Sequence, residues 1–428
     1  VRVLIVNQYF PPEVEPSATK IHEVSREWVR SGLSVTVITG MPNYPSGVIR
    51  PGYRHRLWRV ERVDGVRVIR VFAIPASAGS FVRRVLGHLS FMVSAGVASL
   101  FAGECDVVVA SSPPLEVGLV GLAVARSRRR PFVFEVRDLW PDAAISFGII
   151  RNRSIIKLAR LAERICYRHA SRVVVVSPGF VDHVLNHGVS RGNVKIIING
   201  TDTFLFRPRR ERDPLLKELF RNGKHIVLYA GTFGLQQNLI TVLKAAALLK
   251  GTPDIGFVLV GDGCDRGKLE RARAEWRLRN VVILPLQSRR RVASLISSAD
   301  ICLVQTGRCE LNLGNLPAKL FDYMACGRPI VIAGKGQARM LVEKAGAGTA
   351  AEPDDPESLC RAVLALTGNQ AQRECLGRNG RRFALVNCSR QIVAGRYLSL
   401  LDDVVNDREG RSSGRRFSRR RELARLEV

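Results

Sequence analysis

Residues 315–334 read Asn-Leu-Pro-Ala-Lys-Leu-Phe-Asp-Tyr-Met-Ala-Cys-Gly-Arg-Pro-Ile-Val-Ile-Ala-Gly. Pro317 suits the first position of a helix, where its missing N–H removes no hydrogen bond. The spacing therefore predicts a helix opening at Asn315 or Leu316, closed by Gly327 and barred from continuing by Pro329. Leu316, Leu320, Phe321 and Met324 recur at helical spacing and form its stripe for burial. Lys319 and Asp322 stand three apart on one polar face. A cation in a first helical turn opposes the helix dipole. That placement makes sense if the helix N-terminus and Lys319 converge on an anion, with Asp322 one turn deeper accepting sugar hydroxyls. An ordinary Lys–Asp pair on a solvated face is the alternative. The apolar run Ile330–Ala333 after Gly-Arg-Pro reads as a buried parallel strand.

The same alternation of helix and buried strand extends outward on both sides. Apolar runs at 3–6, 35–39, 66–72, 107–110, 132–136 and 173–176 are separated mostly by helix-length segments, and runs at 226–230, 257–260, 281–284, 301–304 and 330–333 repeat the arrangement. The fold class is α/β: two doubly wound, Rossmann-like domains facing across a cleft, each offering the loops at the carboxyl ends of its strands. Asp64-Gly65 marks one antiparallel hairpin. Residues 206–223 hold Pro208, Pro214 and alternating charges, the composition of a linker. The expected domains are 1–205 and 224–388. A helix at 389–407 follows that can cross back to the first domain, then a basic tail at 408–428 with no core of its own.

The chain has 428 residues, 66 Lys and Arg against 38 Asp and Glu, and a net charge of +28. Such a balance favours anionic partners: nucleotide diphosphates, lipid-linked diphosphates or acidic membrane surfaces. Nucleic acid ranks low, because basic and aromatic residues do not interleave in patches and no binding module is present. A Rossmann dehydrogenase is disfavoured too, since no Gly-x-Gly-x-x-Gly follows the first strand. The nine Cys are scattered without a CxxC pair and fit reduced thiols in a cytoplasmic protein. Val1–Val6 already reads as a strand, so no signal peptide opens the sequence. The stretch 85–102 is apolar but interrupted by His88, Ser90, Ser94 and Ser99. It falls short of a membrane span and reads foremost as a buried helix. The other reading is an interfacial helix with Arg83 and Arg84 toward lipid phosphates.

The run Asp-Tyr-Met-Ala-Cys-Gly-Arg-Pro at 322–329 resembles the nucleotide-sugar helix of family 4 glycosyltransferases, enzymes of the two-domain GT-B fold. Within them it resembles most a WbuB-like group of bacterial surface-polysaccharide assembly. The resemblance covers Val1 to about Arg382 and lies in an ordered series of motifs. It implies that Asp322 binds the donor ribose. It implies a donor diphosphate loop at Gly231-Thr232-Phe233-Gly234, followed here by Gln236 and Gln237. The basic pair common near that loop is missing, which leaves Lys319 as the main cation on the diphosphate. Gly261 and Gly263 match the family's Gly-x-Gly turn. Leu286, in Pro285-Leu286-Gln287, falls where the family holds the base through backbone groups. The family's other Glu, eight positions before Asp322, is replaced by Gly314, with Glu310 and Asn312 nearby as candidate substitutes.

In the first domain, residues 8–17 resemble the loop that approaches the reacting sugar and acceptor, and Pro12, Glu13 and Ser17 are its acceptor-side candidates. Glu15 stands where the group usually has Gly. Met41-Pro42-Asn43-Tyr44-Pro45 matches a group signature and adds Asn43 and Tyr44 to the acceptor side. Glu135-Val136-Arg137-Asp138-Leu139-Trp140-Pro141 matches the group's Arg-Asp-Leu-Trp-Pro run. Arg137 can hold a phosphate bidentately and Asp138 can orient or deprotonate an acceptor hydroxyl. A buried Arg–Asp pair competes with that reading. Ser177-Pro178-Gly179-Phe180 and Asn199-Gly200-Thr201-Asp202 match family turns.

Together these imply a glycosyltransferase that moves a sugar from a UDP- or GDP-sugar to a lipid-diphosphate-linked or other saccharide, with Arg137, Asp138 and Lys319 at the chemistry. A retaining outcome is implied by the family. No Asp-x-Asp cluster occurs, so no metal and no cofactor are expected. A cytoplasmic protein, with peripheral contact to the inner membrane face left open, is the expected location. A nucleotide-sugar epimerase of the same fold is the alternative.

Overall fold

The structure is a computed structural model that describes all residues except 14, 45, 76–80, 147, 221–224, 253 and 414–428. Val14 and Pro45 of the loops named above, and the tail from 414 onward, thus lie outside the described residues. The first sheet contains β1 (Arg2–Val6), β2 (Ser34–Gly40), β3 (Trp58–Val63), β4 (Val66–Val71), β5 (Val107–Ser112), β6 (Phe132–Val136), β7 (Arg172–Val175) and β8 (Val194–Ile196). Their order is β3-β4-β2-β1-β5-β6-β7-β8, parallel except for the β3–β4 hairpin at Asp64-Gly65. The second contains β9 (His225–Ala230), β10 (Ile255–Val260), β11 (Val281–Leu284), β12 (Ile301–Gln305), β13 (Ile330–Ala333) and β14 (Gly348–Ala351) in the order β11-β10-β9-β12-β13-β14. Both sheets reverse direction of growth beside their first strand, between β1 and β5 and between β9 and β12. Such switch points open a crevice at the carboxyl ends of the strands.

The registers set Val3 beside Val35 and Val107, and Val227 beside Phe257 and Ile301. β-Branched and aromatic side chains on both faces give each sheet two buried faces, as a parallel sheet covered by helices requires. β8 and β14 close the sheet edges. The first lies partly exposed and the second is Gly-Thr-Ala-Ala, so neither carries the apolar run that marks its neighbours.

Four expectations need correction. The helix at the opening motif runs Ala318–Ala325, with Pro317 as its N-cap at φ −60° and ψ 131° instead of in its first turn. Its end is as anticipated: Gly327 has φ +66°, its N–H donates to Met324 O, and Arg328 N–H donates to Tyr323 O, a Schellman closure. Residues 206–220 are no linker. Phe206, Leu216 and Phe220 belong to the second domain's core, and Gly256 is kept free of a side chain by the Phe220 ring. The helix expected at 389–407 spans Arg390–Ser413 and so takes up the start of the basic tail. The helix Phe81–Leu100 buries Gly87, Phe91, Ala95, Ala98 and Ser99 along one face, while Leu89, Val93, Val97 and Leu100 are exposed.

The 390–413 helix packs on the first domain. Val393, Ala394, Tyr397, Leu400, Leu401 and Val404 share a cluster with Val3, Ile5, Trp28 and Val109. Trp28 Nε1 donates to Ala394 O at 3.2 Å, and its ring meets Tyr397 edge-on at 5.9 Å.

Candidate active site

At the β9–β12 switch point the chain after β9 turns at Gly231, whose φ is +151°. A Cβ there would lie 2.6 Å from Lys319 Nζ, so the ammonium rests directly on the glycine. Lys319 Nζ donates to Tyr229 Oη at 2.5 Å and lies 3.8 Å from the centre of that ring. Tyr229 Oη in turn donates to Thr232 O at 2.7 Å, which ties the lysine to the loop. No carboxylate pairs with Lys319 among the described residues. Burial alone pushes its amine down to about 7, and an incoming anion would restore the charge. The 318–325 helix begins at Lys319's own turn with a proline N-cap and no capping side chain, so its first N–H groups are open to the same anion.

The second glycine loop serves the first. A Cβ on Gly261 would fall 1.9 Å from Gly231 O, and one on Gly263 would fall 2.3 Å from Phe233 O. Phe233 N–H donates to Asp262 O and Phe233 O accepts from Asp265 N–H. Gly261 and Gly263, expected to touch the donor, are therefore glycines because two backbones pack together. Phe233, expected in the same role, is fully buried, with both backbone groups occupied, and anchors the loop in the core. Thr232 stays exposed and Gly234 half-buried. The helix after the loop starts at Ile240, six residues beyond Gly234. Leu286 is exposed at the end of β11.

Asp322 lies one turn beyond Lys319. Its Oδ1 accepts from Thr201 Oγ1 at 2.6 Å, a contact from the turn after β8. Burial pushes its carboxyl up to about 6, against the Thr201 hydrogen bond and the nearby Arg289 and Arg390. Tyr323 Oη accepts from Ala230 N–H at 2.8 Å and so fixes the end of β9 beside the glycine loop. Neither Tyr229 nor Tyr323 was singled out from sequence; the one signal was the period-two placement of Tyr229 on its strand.

Across the cleft, β6 ends in Arg137 and Asp138. They form no ion pair among the described residues, which removes the structural pair as an explanation. Arg137 reaches Pro113 O at 3.4 Å, while its Nε is buried without a partner. Burial pushes the Asp138 carboxyl up to about 6, against Arg137 and with help from Glu15. Beneath them Lys20 pairs with Glu135 at 2.5 Å, and Glu135 also accepts from Ser111 and Tyr397. Gln8 Oε1 is a further buried atom without a partner. The acceptor-side candidates divide. Glu13 accepts from Asn43 N–H and Tyr44 N–H, both at 2.9 Å, and is buried; it shapes the 41–44 loop instead of facing an acceptor. Ser17 is buried against Asn7 and likewise corrected. Pro12 and Asn43 are half-buried, and Tyr44 is exposed with its ring 5.7 Å from Tyr9.

The two domains meet at small residues and at one ion cluster. Ser177 Oγ donates to Gly314 O at 2.5 Å, and a Cβ on Gly179 would lie 2.5 Å from Gly314 Cα. Gly179 is thus glycine because Gly314 packs on it, while a Cβ on Gly314 would stand 3.2 Å from Gly179 O and 3.3 Å from the Phe180 ring, tight for the expected Glu. Of its proposed substitutes, Asn312 donates to Gly307 O at 2.8 Å and is spent on the loop. Glu310 faces a cavity of about 650 Å³ between the domains, which Leu139 also lines. Glu23 of the Pro16–Arg30 helix holds Arg289 at 2.6 Å and Arg390 at 2.7 Å.

Residues 17–200 match the model of a glycosyl transferase 4-like domain, and residues 211–383 match that of glycosyl transferases group 1. The chain belongs to the family 4 glycosyltransferases. A putative colanic acid biosynthesis glycosyl transferase of Escherichia coli, WcaI, is 26% identical over 85% of this glycosyltransferase and 91% of its own length. A GDP-mannose-dependent alpha-mannosyltransferase of Mycobacterium tuberculosis is 26% identical over 80% of this chain and 81% of its own. Among solved structures, sucrose-phosphate synthase from Thermosynechococcus elongatus superposes with a TM-score of 0.77 at 17% identity, covering 95% of this chain and 99% of that one. HepE of Anabaena, with UDP and glucose bound, gives 0.72 at 16%, covering 94% and 99%. The glycosyltransferase thus has the GT-B architecture. No helix among its described residues is long and apolar enough to cross a membrane.

Proposed function

We propose that this enzyme transfers a sugar from a nucleotide-diphosphate donor to a hydroxyl of a lipid-diphosphate-linked saccharide in surface-polysaccharide assembly, as the WbuB-like resemblance implies. The observation that carries the donor half is the Lys319 ammonium, without an acidic partner among the described residues, set on Gly231 at an uncapped helix N-terminus. The leaving diphosphate gathers charge as the glycosidic bond breaks, and pre-aligned donors there lower the barrier. Asp322 would take a ribose hydroxyl with the oxygen Thr201 leaves free. Asp138 would orient the acceptor hydroxyl, and Arg137, with its orphaned Nε, would hold an acceptor phosphate. Retention at the anomeric carbon goes with the family reading.

The lipid half of the reading rests on the 81–100 helix. Leu89, Val93 (70% exposed), Val97 and Leu100 (73%) make one outward stripe. Trp58 meets Phe101 edge-on at 5.8 Å and joins the stripe to exposed Leu57 and Val60. Exposed Arg54, Arg56 and Arg62 flank the patch. An apolar face rimmed by cations suits an anionic bilayer surface, with each basic residue near it contributing about 1 kcal/mol. Leu89→Glu with Val93→Glu is expected to abolish co-sedimentation with phosphatidylglycerol vesicles while nucleotide-sugar binding stays unchanged. Equal sedimentation of variant and parent would remove the membrane from the proposal.

The decisive experiment incubates purified protein with UDP- and GDP-sugars and membrane lipid extract, followed by mass spectrometry of the lipid fraction and NMR of the product anomer. A glycosylated lipid diphosphate is the expected product. Free isomerised sugar formed without lipid would instead identify an epimerase.

A further inference from the structure

Behind the Arg137-Asp138 loop lie three helices of the first domain: Asp142–Ser146, Arg153–His169 and Val181–Asn186. The last of these presents His183, and His187 caps its end, one turn further on. Both imidazoles face Glu163 of the 153–169 helix, whose side chain is 1% exposed. His183 Nε2 is 2.8 Å from Glu163 Oε1, and His187 Nε2 is 3.4 Å from Glu163 Oε2. One ligand-type atom from each residue can be chosen so that all three lie within 4.8 Å of one another. None of these side chains takes part in the proposed transfer, and none was singled out in the sequence.

The hydrogen bonding leaves a charge to be supplied. His187 Nδ1 lies 2.7 Å from His183 O. A carbonyl oxygen only accepts, so Nδ1 carries the hydrogen. In the neutral ring, Nε2 then turns a lone pair toward Glu163 Oε2, a buried atom near which the Tyr167 hydroxyl is the other hydrogen-bonding group among the described residues. Two lone pairs facing each other in a buried site call for a cation between them. With metal–ligand bonds of about 2.0–2.2 Å, the edge of a tetrahedral shell is roughly 3.3–3.6 Å; the 3.4 Å between His187 and Glu163 fits it, and the 2.8 Å hydrogen bond between His183 and Glu163 has to open to that length as the ion enters. Outer groups are present as well. Asp142 Oδ2 lies 3.8 Å from His183 Nδ1, its Oδ1 lies 3.4 Å from Arg160, and carboxylates behind ligating imidazoles are the usual support of such sites. Tyr167, one turn after Glu163, packs edge-on to both imidazoles.

We propose that Glu163, His183 and His187 bind a divalent transition ion, with zinc as the best match to two imidazoles and a carboxylate. Magnesium and calcium, which prefer all-oxygen shells, fit poorly. His183 and Asp142 also line the cavity of about 650 Å³ between the domains, so solvent can reach a fourth position. The ion joins the 153–169 and 181–186 helices directly and the 142–146 helix through Asp142. It thereby steadies the segment that follows Asp138. Its role is positional, and the ligands are not catalytic residues.

The test uses the full chain without an affinity tag, stripped with a chelator and titrated with zinc against a competing chelating dye. One zinc per chain is expected. His187→Gln and Glu163→Gln, each checked for native circular dichroism, are expected to bind at least about 100-fold more weakly. Excess magnesium is expected not to displace the zinc. Zinc is also expected to raise the thermal midpoint of the parent but of neither variant. A folded parent that retains no zinc against the dye overturns the proposal, since the pair is then bridged by a proton. Undiminished zinc binding in both variants overturns it equally, because the ligands would then lie elsewhere, the exposed thiols of Cys264 and Cys375 among the candidates.

Discussion

A lysine amine held at about 7 by burial titrates in the range where enzymes are assayed. Binding a diphosphate raises that value, because the anion favours the ammonium. The nucleotide-sugar therefore binds with full strength below pH 7 and more weakly as the pH rises above it, by up to about tenfold per unit. Calorimetry with an intact nucleotide-sugar, whose diphosphate diester keeps its charge across this range, measures the slope. Lys319→Arg is expected to flatten it, since guanidinium stays protonated; an unchanged slope would place the cation elsewhere. Asp138 makes a separate claim. Asp138→Asn is expected to lower kcat by about 100-fold or more and to leave the donor Kd alone. A loss confined to donor affinity would move Asp138 out of the acceptor site. Lys319 was legible in the sequence because a cation in a first helical turn breaks an electrostatic rule. The duties of Glu13 and Ser17 were not: Glu13 accepts from backbone N–H groups some thirty residues away, and Ser17 pairs with the Asn7 side chain, and neither contact leaves a mark on side-chain identity.

At the level of elements, the glycine loops after β9 and β10 behave as one unit, closed on the other side by Tyr229 and Tyr323. Gly261→Ala puts a methyl group against Gly231 O at a φ of +153°. Strain and overpacking together are expected to cost about 3 kcal/mol and to displace the Lys319 seat. Denaturant unfolding followed by circular dichroism reads the cost, and a midpoint equal to the parent's would refute the packing argument. The central strands were readable from their β-branched runs, and so was the hairpin at Asp64-Gly65. Segment 206–220 was misread because prolines and charges resemble a linker until Phe206, Leu216 and Phe220 are seen to fill a distant core. The 81–100 helix was misassigned for a related reason: apolar content tells neither a core from a lipid-facing surface nor which stripe turns inward.

Over the whole molecule, Glu23, Arg289 and Arg390 draw both domains and the 390–413 helix to one buried point. A carboxylate with two guanidinium partners there fixes geometry more than it adds stability. Deleting residues 390–413 uncovers the Trp28 and Tyr397 contact and the apolar cluster around β1. The truncated chain is expected to bind a hydrophobic dye and to aggregate on size exclusion. A monomeric truncation that still binds donor would show that the first domain needs no such cover. The same docking has a bearing on biosynthesis. β1 is translated nearly four hundred codons before the helix that covers its sheet. The nascent first half therefore emerges with a naked apolar flank, which chaperones are expected to shield until the 390–413 helix has been made.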